Sequence, residues 1–163
     1  MIAAAAIQDA DNQGFYRSEA YGANQYNWGL SYHTPTTTNY LSVTDGNVSK
    51  ALRQTETMGY FYTFKFRKLD KRKGFMSLYG VKYVTFPLKE KVSKKDFRLI
   101  KKQGNFGLYE NKKVLPFGYT YDSYVRESEY EKLNGIDREQ TMLSSAIVED
   151  QDKIGVQKNV PQK

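Results

Sequence analysis

An α+β fold is predicted for this sequence: one domain, with a mixed β-sheet, helices packed on it and a helical segment at its C-terminal end. Three observations carry the prediction. "VKYVTF", Val81 to Phe86, is a run of β-branched and aromatic residues bounded by Gly80 and Pro87, the signature of a buried strand. "FRLIKKQGNFGLYEN" divides at Gly104 into two further strand-like segments. Capping signals at Ser128 and Asp137 then open helices at the far end of the chain.

The elements follow in order. Residues 1–11 have helical composition, and "GFYRSEA" (14–20) is a short strand with Phe15 and Arg17 on one side and Tyr16 on the other. "YGANQYNWGLSYHTPTTTNYLSV" is polar, aromatic and punctuated by Gly22, Gly29 and Pro35, which fits an ordered surface loop with strand fragments. A helix is expected from about Val48 to Met58, capped by Asn47 and stopped at Gly59. "YFYTFKFRKL" alternates with a period of two, as a strand does. Phe75 to Tyr79 reads as a turn or two of helix before the Val81 strand, and "KEKVSKKD" as a loop.

"KKVLPFGYTYD" is expected to add another strand, with Phe117, Tyr119 and Tyr121 turned inward. The box Ser128 to Glu131 opens a helix ending at Asn134-Gly135. Asp137 caps a second helix, whose stripe Met142, Leu143, Ala146 and Ile147 lies on the sheet. The sheet is thus expected to hold strands near Phe15, Tyr60, Val81, Phe97, Gly107 and Phe117. The domain is placed at 1–150, with a polar tail at 151–163.

Composition removes several chemistries. With no cysteine there are no disulfides, thiolate metal sites or cysteine nucleophiles, and one histidine cannot build a His-rich metal cluster. Absence of cysteine suits the cytosol and equally the outer face of bacteria that lack disulfide machinery. Aromatic residues make up 15% of the chain, 14 of them tyrosine, so the core should be rich in tyrosine and phenylalanine. The run "MIAAAAI" is far shorter than the roughly 20 apolar residues that span a bilayer, and it lacks a basic leader.

The net charge of +7 is unevenly placed: Lys65 to Lys102 holds 14 Lys/Arg against three acids. Such a stretch either faces solvent or meets an anionic partner.

No catalytic motif stands out. His33 sits in "SYHTPT" with no nucleophile motif around it, and the pairs Glu149-Asp150 and Glu127/Glu129 fall where caps and solvated faces explain them. No phosphate loop, dinucleotide fingerprint or calcium loop is present, and no cofactor is expected. "KRKGFMSLY" begins like an RNA-recognition motif, but Met76, Ser77 and Leu78 stand where its aromatic platform belongs. Trp28, Tyr26, Tyr32 and Tyr40, among amides and hydroxyls, suit either a carbohydrate surface or a plug at one end of the sheet.

Read together, "LYGVKYVTF", "FGLYENKKVLPFGYTYDSYV" and "EYEKLNGIDREQTMLSSAIVED" resemble the extracytoplasmic region of the YfhO family of bacterial integral membrane proteins. The likeness is close over about residues 74 to 150 and loose before them. It implies a fragment of a multi-spanning glycosyltransferase that moves sugar from a lipid-linked donor onto a cell-envelope polymer such as teichoic acid. No catalytic residue transfers onto this chain, because the family's catalytic carboxylate lies between early membrane helices.

The implied role is non-catalytic, on the extracytoplasmic face of the cell membrane. Expected partners are the membrane-embedded remainder of the parent chain, lipid-linked sugar, an anionic lipid surface or teichoic acid, and no nucleic acid. Candidate ligand-binding residues are Trp28, Tyr32, His33, Asp122 and Tyr124, with no metal ligand among them. The alternative is a self-contained basic nucleic-acid-binding domain.

Overall fold

Strand β5, Val81–Pro87, is buried from Val81 to Phe86 apart from half-buried Lys82, as its β-branched and aromatic sequence dictates. The computed structural model describes residues 14–22, 26–57, 60–62, 65–66, 68–153 and 157–158. In it β5 runs parallel to β1 (Arg17–Ala20) and antiparallel to β7 (Phe106–Asn111). β7 in turn pairs antiparallel with β6 (Phe97–Gln103) at the sheet edge. The order β1-β5-β7-β6 makes a mixed sheet, and with the helices the α+β expectation holds.

Alternation along β5 sends its side chains into two cores. Val84 and Phe86 pack with Tyr21, Leu69, Phe97 and, from helix α3 (Lys73–Leu78), Phe75 and Met76. Tyr83 packs with Ala20, Leu108 and Trp28, the last from helix α1 (Trp28–Ser31). Both cores are heavily aromatic, with Tyr21 stacked on Phe86 at 5.2 Å.

Two smaller sheets flank this one. β2 (Asn39–Tyr40), β3 (Tyr60–Tyr62) and β4 (Lys65–Phe66) form an antiparallel sheet in the order β2-β4-β3. β8 (Ser123–Arg126) pairs in parallel with β9 (Ala146–Val148) and with β10 (Gln157–Lys158), which lies in the polar C-terminal stretch. The single strand expected over "YFYTFKFRKL" is therefore a β3–β4 pair outside the main sheet. The expected helix near the N-terminus and the stop at Gly59 lie outside the described residues.

Helix boundaries differ from expectation for one reason: a capping side chain must sit where its oxygen can reach two N–H groups ahead of it. Helix α2 covers Gly46–Gln54, and its cap is Asp45, whose carboxylate accepts from Asn47 N at 2.8 Å and Val48 N at 3.2 Å. Asn134 does not end a helix but opens α5 (Gly135–Ser144), accepting from Ile136 N and Asp137 N, both at 3.0 Å. Asp137 sits inside the first turn, and Ser128 lies within α4 (Glu127–Tyr130), bonded to Asp150.

The Met142 to Ile147 stripe is also cut. Ser145 turns extended (φ −147°, ψ 146°), and Ala146 and Ile147 enter β9, because Ile147 and Val148 complete a parallel ladder opposite Val125 and Arg126. Replacing Asn134 by alanine should lower the unfolding free energy by about 1 kcal/mol, whereas Asp137→Ala should cost less. Urea denaturation of the two variants checks this ranking, and equal losses would refute it.

Two arginines bind the helices together. Arg72, before α3, gives Nε to Glu139 of α5 at 2.5 Å, one guanidinium nitrogen to Thr55 O at 2.6 Å and the other to Gly135 O at 2.8 Å. Glu139 also accepts from Phe75 N at 3.1 Å. Arg138 bonds the carbonyls of Gln54, Tyr130 and Glu131. Gly74 lets α3 approach α5 closely: a Cβ there would stand 2.3 Å from Glu139 Oε1, so the carboxylate that holds Phe75 N would have to shift.

Candidate functional site

"VLPFGYTYD" is not a strand. Leu115-Pro116 and Gly118 interrupt the alternation, and residues 112–122 cross the surface as a loop, tied to α3 by Leu115 N to Ser77 O at 3.2 Å. The rings expected to face inward are therefore at the surface, with Phe117 69% and Tyr119 38% exposed. The physical cause lies in the breakers: Pro116 has no N–H to give a ladder and Gly118 brings no side chain to pack.

What the loop builds instead is an open groove of about 320 Å³. Leu78 and Tyr79 come from the end of α3, Met142 from α5, and Ala146 and Ile147 from β9, while Tyr119 and Tyr121 close it from the loop. The two loop rings meet edge to face at 5.1 Å, and their hydroxyls hydrogen-bond at 2.9 Å. Tyr121 donates onward to the Met142 carbonyl. Because Tyr121 gives its one proton to that carbonyl, Tyr119 donates to Tyr121, and the Tyr119 oxygen keeps only acceptor capacity for a further partner.

Burial first, and then Tyr119, pushes the Tyr121 hydroxyl well above the ordinary phenol range. Burial likewise raises Tyr79, opposed by the Arg17 charge. Both therefore stay neutral at physiological pH.

A cationic rim adjoins the groove. Arg17 donates to Tyr79 O at 2.9 Å and lies over the rings of Phe15 and Phe117 at 5.2 and 5.7 Å. Those rings touch edge to face at 4.7 Å. Partial burial lowers the Arg17 pKa without discharging it. None of the groove-lining residues is a carboxylate or a histidine, so the arrangement suits recognition: flat apolar faces with a few hydroxyls at their edge.

The sequence-nominated residues lie elsewhere. Trp28 is buried in the second core, with Tyr32 packed against it, and His33 is exposed at a left-handed turn with φ 49°. Asp122 is exposed at the entry to β8, and Tyr124 on that strand lies under the Arg126 guanidinium at 5.0 Å. The groove residues come from three distant segments, so no period or spacing joins them. Only the breakers Pro116 and Gly118 signalled that Tyr119 and Tyr121 stand on a loop.

One buried carboxylate stands apart from the groove. Glu19 of β1 is fully buried and accepts from Ala20 N at 3.0 Å, from the Thr38 hydroxyl at 2.9 Å and from the Thr37 hydroxyl. Burial pushes its pKa up to about 7, with the Ala20 and Thr38 bonds and the Lys68 charge opposing. Its bonds to Thr37 and Thr38 pin that stretch to β1. Asp96 shows the opposite shift, held well below the usual carboxylate range by Lys73, then Ser93 and Lys113. Among the described residues no group of His, Cys, Asp and Glu could hold a metal, and no helix is long and apolar enough to cross a membrane.

Residues 3–163 match the family described as "Bacterial membrane protein YfhO". A protein of Bacillus subtilis (strain 168), described as "Uncharacterized protein YfhO", is 32% identical over 81 residues. That alignment covers 50% of this chain and 9% of the relative. No solved structure matches the chain.

Proposed function

The chain belongs to the YfhO family of bacterial membrane proteins, and on that premise we propose that it is a non-catalytic extracytoplasmic domain of a multi-spanning glycosyltransferase. Its role is to engage the sugar-bearing acceptor polymer, of teichoic-acid type, or the lipid-linked donor. One observation carries this reading: the groove of Tyr79, Tyr119 and Tyr121, with a hydroxyl relay behind its exposed ring and the Arg17 rim beside it. Sugar rings offer apolar C–H faces to aromatic side chains and hydroxyls to phenols, and a phosphate-linked polymer or donor adds an anion for the arginine.

Calorimetric titration of the chain with glycosylated and sugar-free polyglycerol phosphate tests the proposal. Preferential binding of the glycosylated polymer is expected. Tyr119→Ala should weaken it about tenfold, the measure of one stacked ring, with only a small drop in melting temperature from the lost ring contact and hydrogen bond to Tyr121. Equal binding of both polymers, or no effect of Tyr119→Ala, would remove the groove from this function.

A further inference from the structure

We propose that the β6 edge of the main sheet docks edge-on onto an anionic lipid surface, at the depth of the headgroups. The observation is the strand itself. After buried Phe97, every residue from Arg98 to Phe106 is exposed, and β6 has no partner on its outer side among the described residues.

Four apolar side chains lie exposed there: Leu99 at 42%, Ile100 at 41%, and Leu88 and Phe106 at the hairpin end. Leu88 and Phe106 are neighbours in space, because Leu88 N bonds Asn105 O at 2.8 Å and Pro87 pairs with Phe106. Two exposed apolar pairs, Leu99-Ile100 and Leu88 with Phe106, thus stand along one otherwise polar strand edge, and exposed apolar groups set among polar ones mark a contact surface.

Charge selects the partner. Lys89, Lys101 and Lys102 are exposed, and none has an ionic partner among the described residues. The nearby acids are already engaged, Glu110 by Arg98 and Glu90 by Lys71, both at 2.5 Å. The edge therefore presents uncompensated positive charge beside apolar groups. Lysine stems can lie along an apolar layer while their ammonium groups meet lipid phosphates.

Two features argue against a protein strand as the occupant. Lysines at an edge hinder strand addition, and the register break between Leu99 and Lys101 interrupts the backbone ladder another chain would follow. The open backbone groups of β6 also fix the depth. They would be unsatisfied in hydrocarbon but are solvated among headgroups.

Co-sedimentation with phosphatidylglycerol/phosphatidylcholine vesicles, against phosphatidylcholine alone, tests the inference. Binding should require phosphatidylglycerol and weaken with salt. The double variant K101Q/K102Q should bind about thirtyfold more weakly, at about 1 kcal/mol per lysine. L99S/I100S should weaken binding by an amount that salt does not change, and Lys132→Gln, in the exposed turn between α4 and α5, should leave it intact. Because the altered positions are exposed, unchanged circular dichroism is expected throughout.

Equal binding to both vesicle types overturns the proposal, as does an equal loss with Lys132→Gln. So does a concentration-dependent dimer abolished by L99S/I100S, which would make the edge a self-pairing surface. Binding of single-stranded RNA that is lost in K101Q/K102Q, without vesicle binding, would assign the edge to nucleic acid. Tyr119→Ala should leave vesicle binding unchanged, which separates this surface from the groove.

Discussion

Replacing Arg72 by methionine should cost about 3–5 kcal/mol of stability, the range for breaking a buried ion pair from one side. Glu139 is 6% exposed and would keep only the Phe75 N–H, while Thr55 O and Gly135 O would lose their donor. The loss should appear as a lower urea midpoint with an unchanged slope, since the same surface is exposed on unfolding. A double-mutant cycle separates the ion pair from the rest. R72M/E139M should recover part of the loss, because no charge is then left buried alone. A change within about 0.5 kcal/mol for Arg72→Met would mean that the carbonyls find water and that the pair does not hold α3 to α5.

Glu19 should make the domain less stable as pH rises. Its pKa is raised on folding to about 7, so between the ordinary carboxylate range and neutrality the folded chain binds a proton that the unfolded chain has released. Stability therefore falls across that window and levels off above it. The full effect is about 3 kcal/mol, from a displacement of between two and three pH units. Glu19→Gln removes the titration while its amide oxygen still accepts from Thr38 or Ala20, so its stability curve should be flat over the same interval. Parallel curves for the parent and Glu19→Gln would show that another group sets the pH dependence.

Local sequence carried much of the architecture. The β-branched and aromatic run at Val81, the glycine between β6 and β7 and the turn at Gly80 each specify their element through the backbone preferences of a few adjacent residues. Those elements came out where the pattern places them. The failures share a different character. "YFYTFKFRKL" alternates as a strand does, and "VLPFGYTYD" sets three rings two positions apart around its breakers, yet the first forms a small separate sheet and the second a loop. Alternation reports that a segment can pair; with which strand it pairs, if any, is settled by the packed sheets around it.

What the sequence by itself determined, then, is the set of elements from residue 73 to 111, the aromatic character of the core and the family signature, all encoded in contiguous residues. Only the tertiary structure decided that Tyr119 and Tyr121 line a groove with Tyr79 and Met142, that Glu19 is sealed under two threonines, and that among the described residues β6 ends the sheet with its lysines free of acids. Each of these joins residues separated by more than a dozen positions, and burial and unpaired edges are properties of the packed whole. No local preference encodes them.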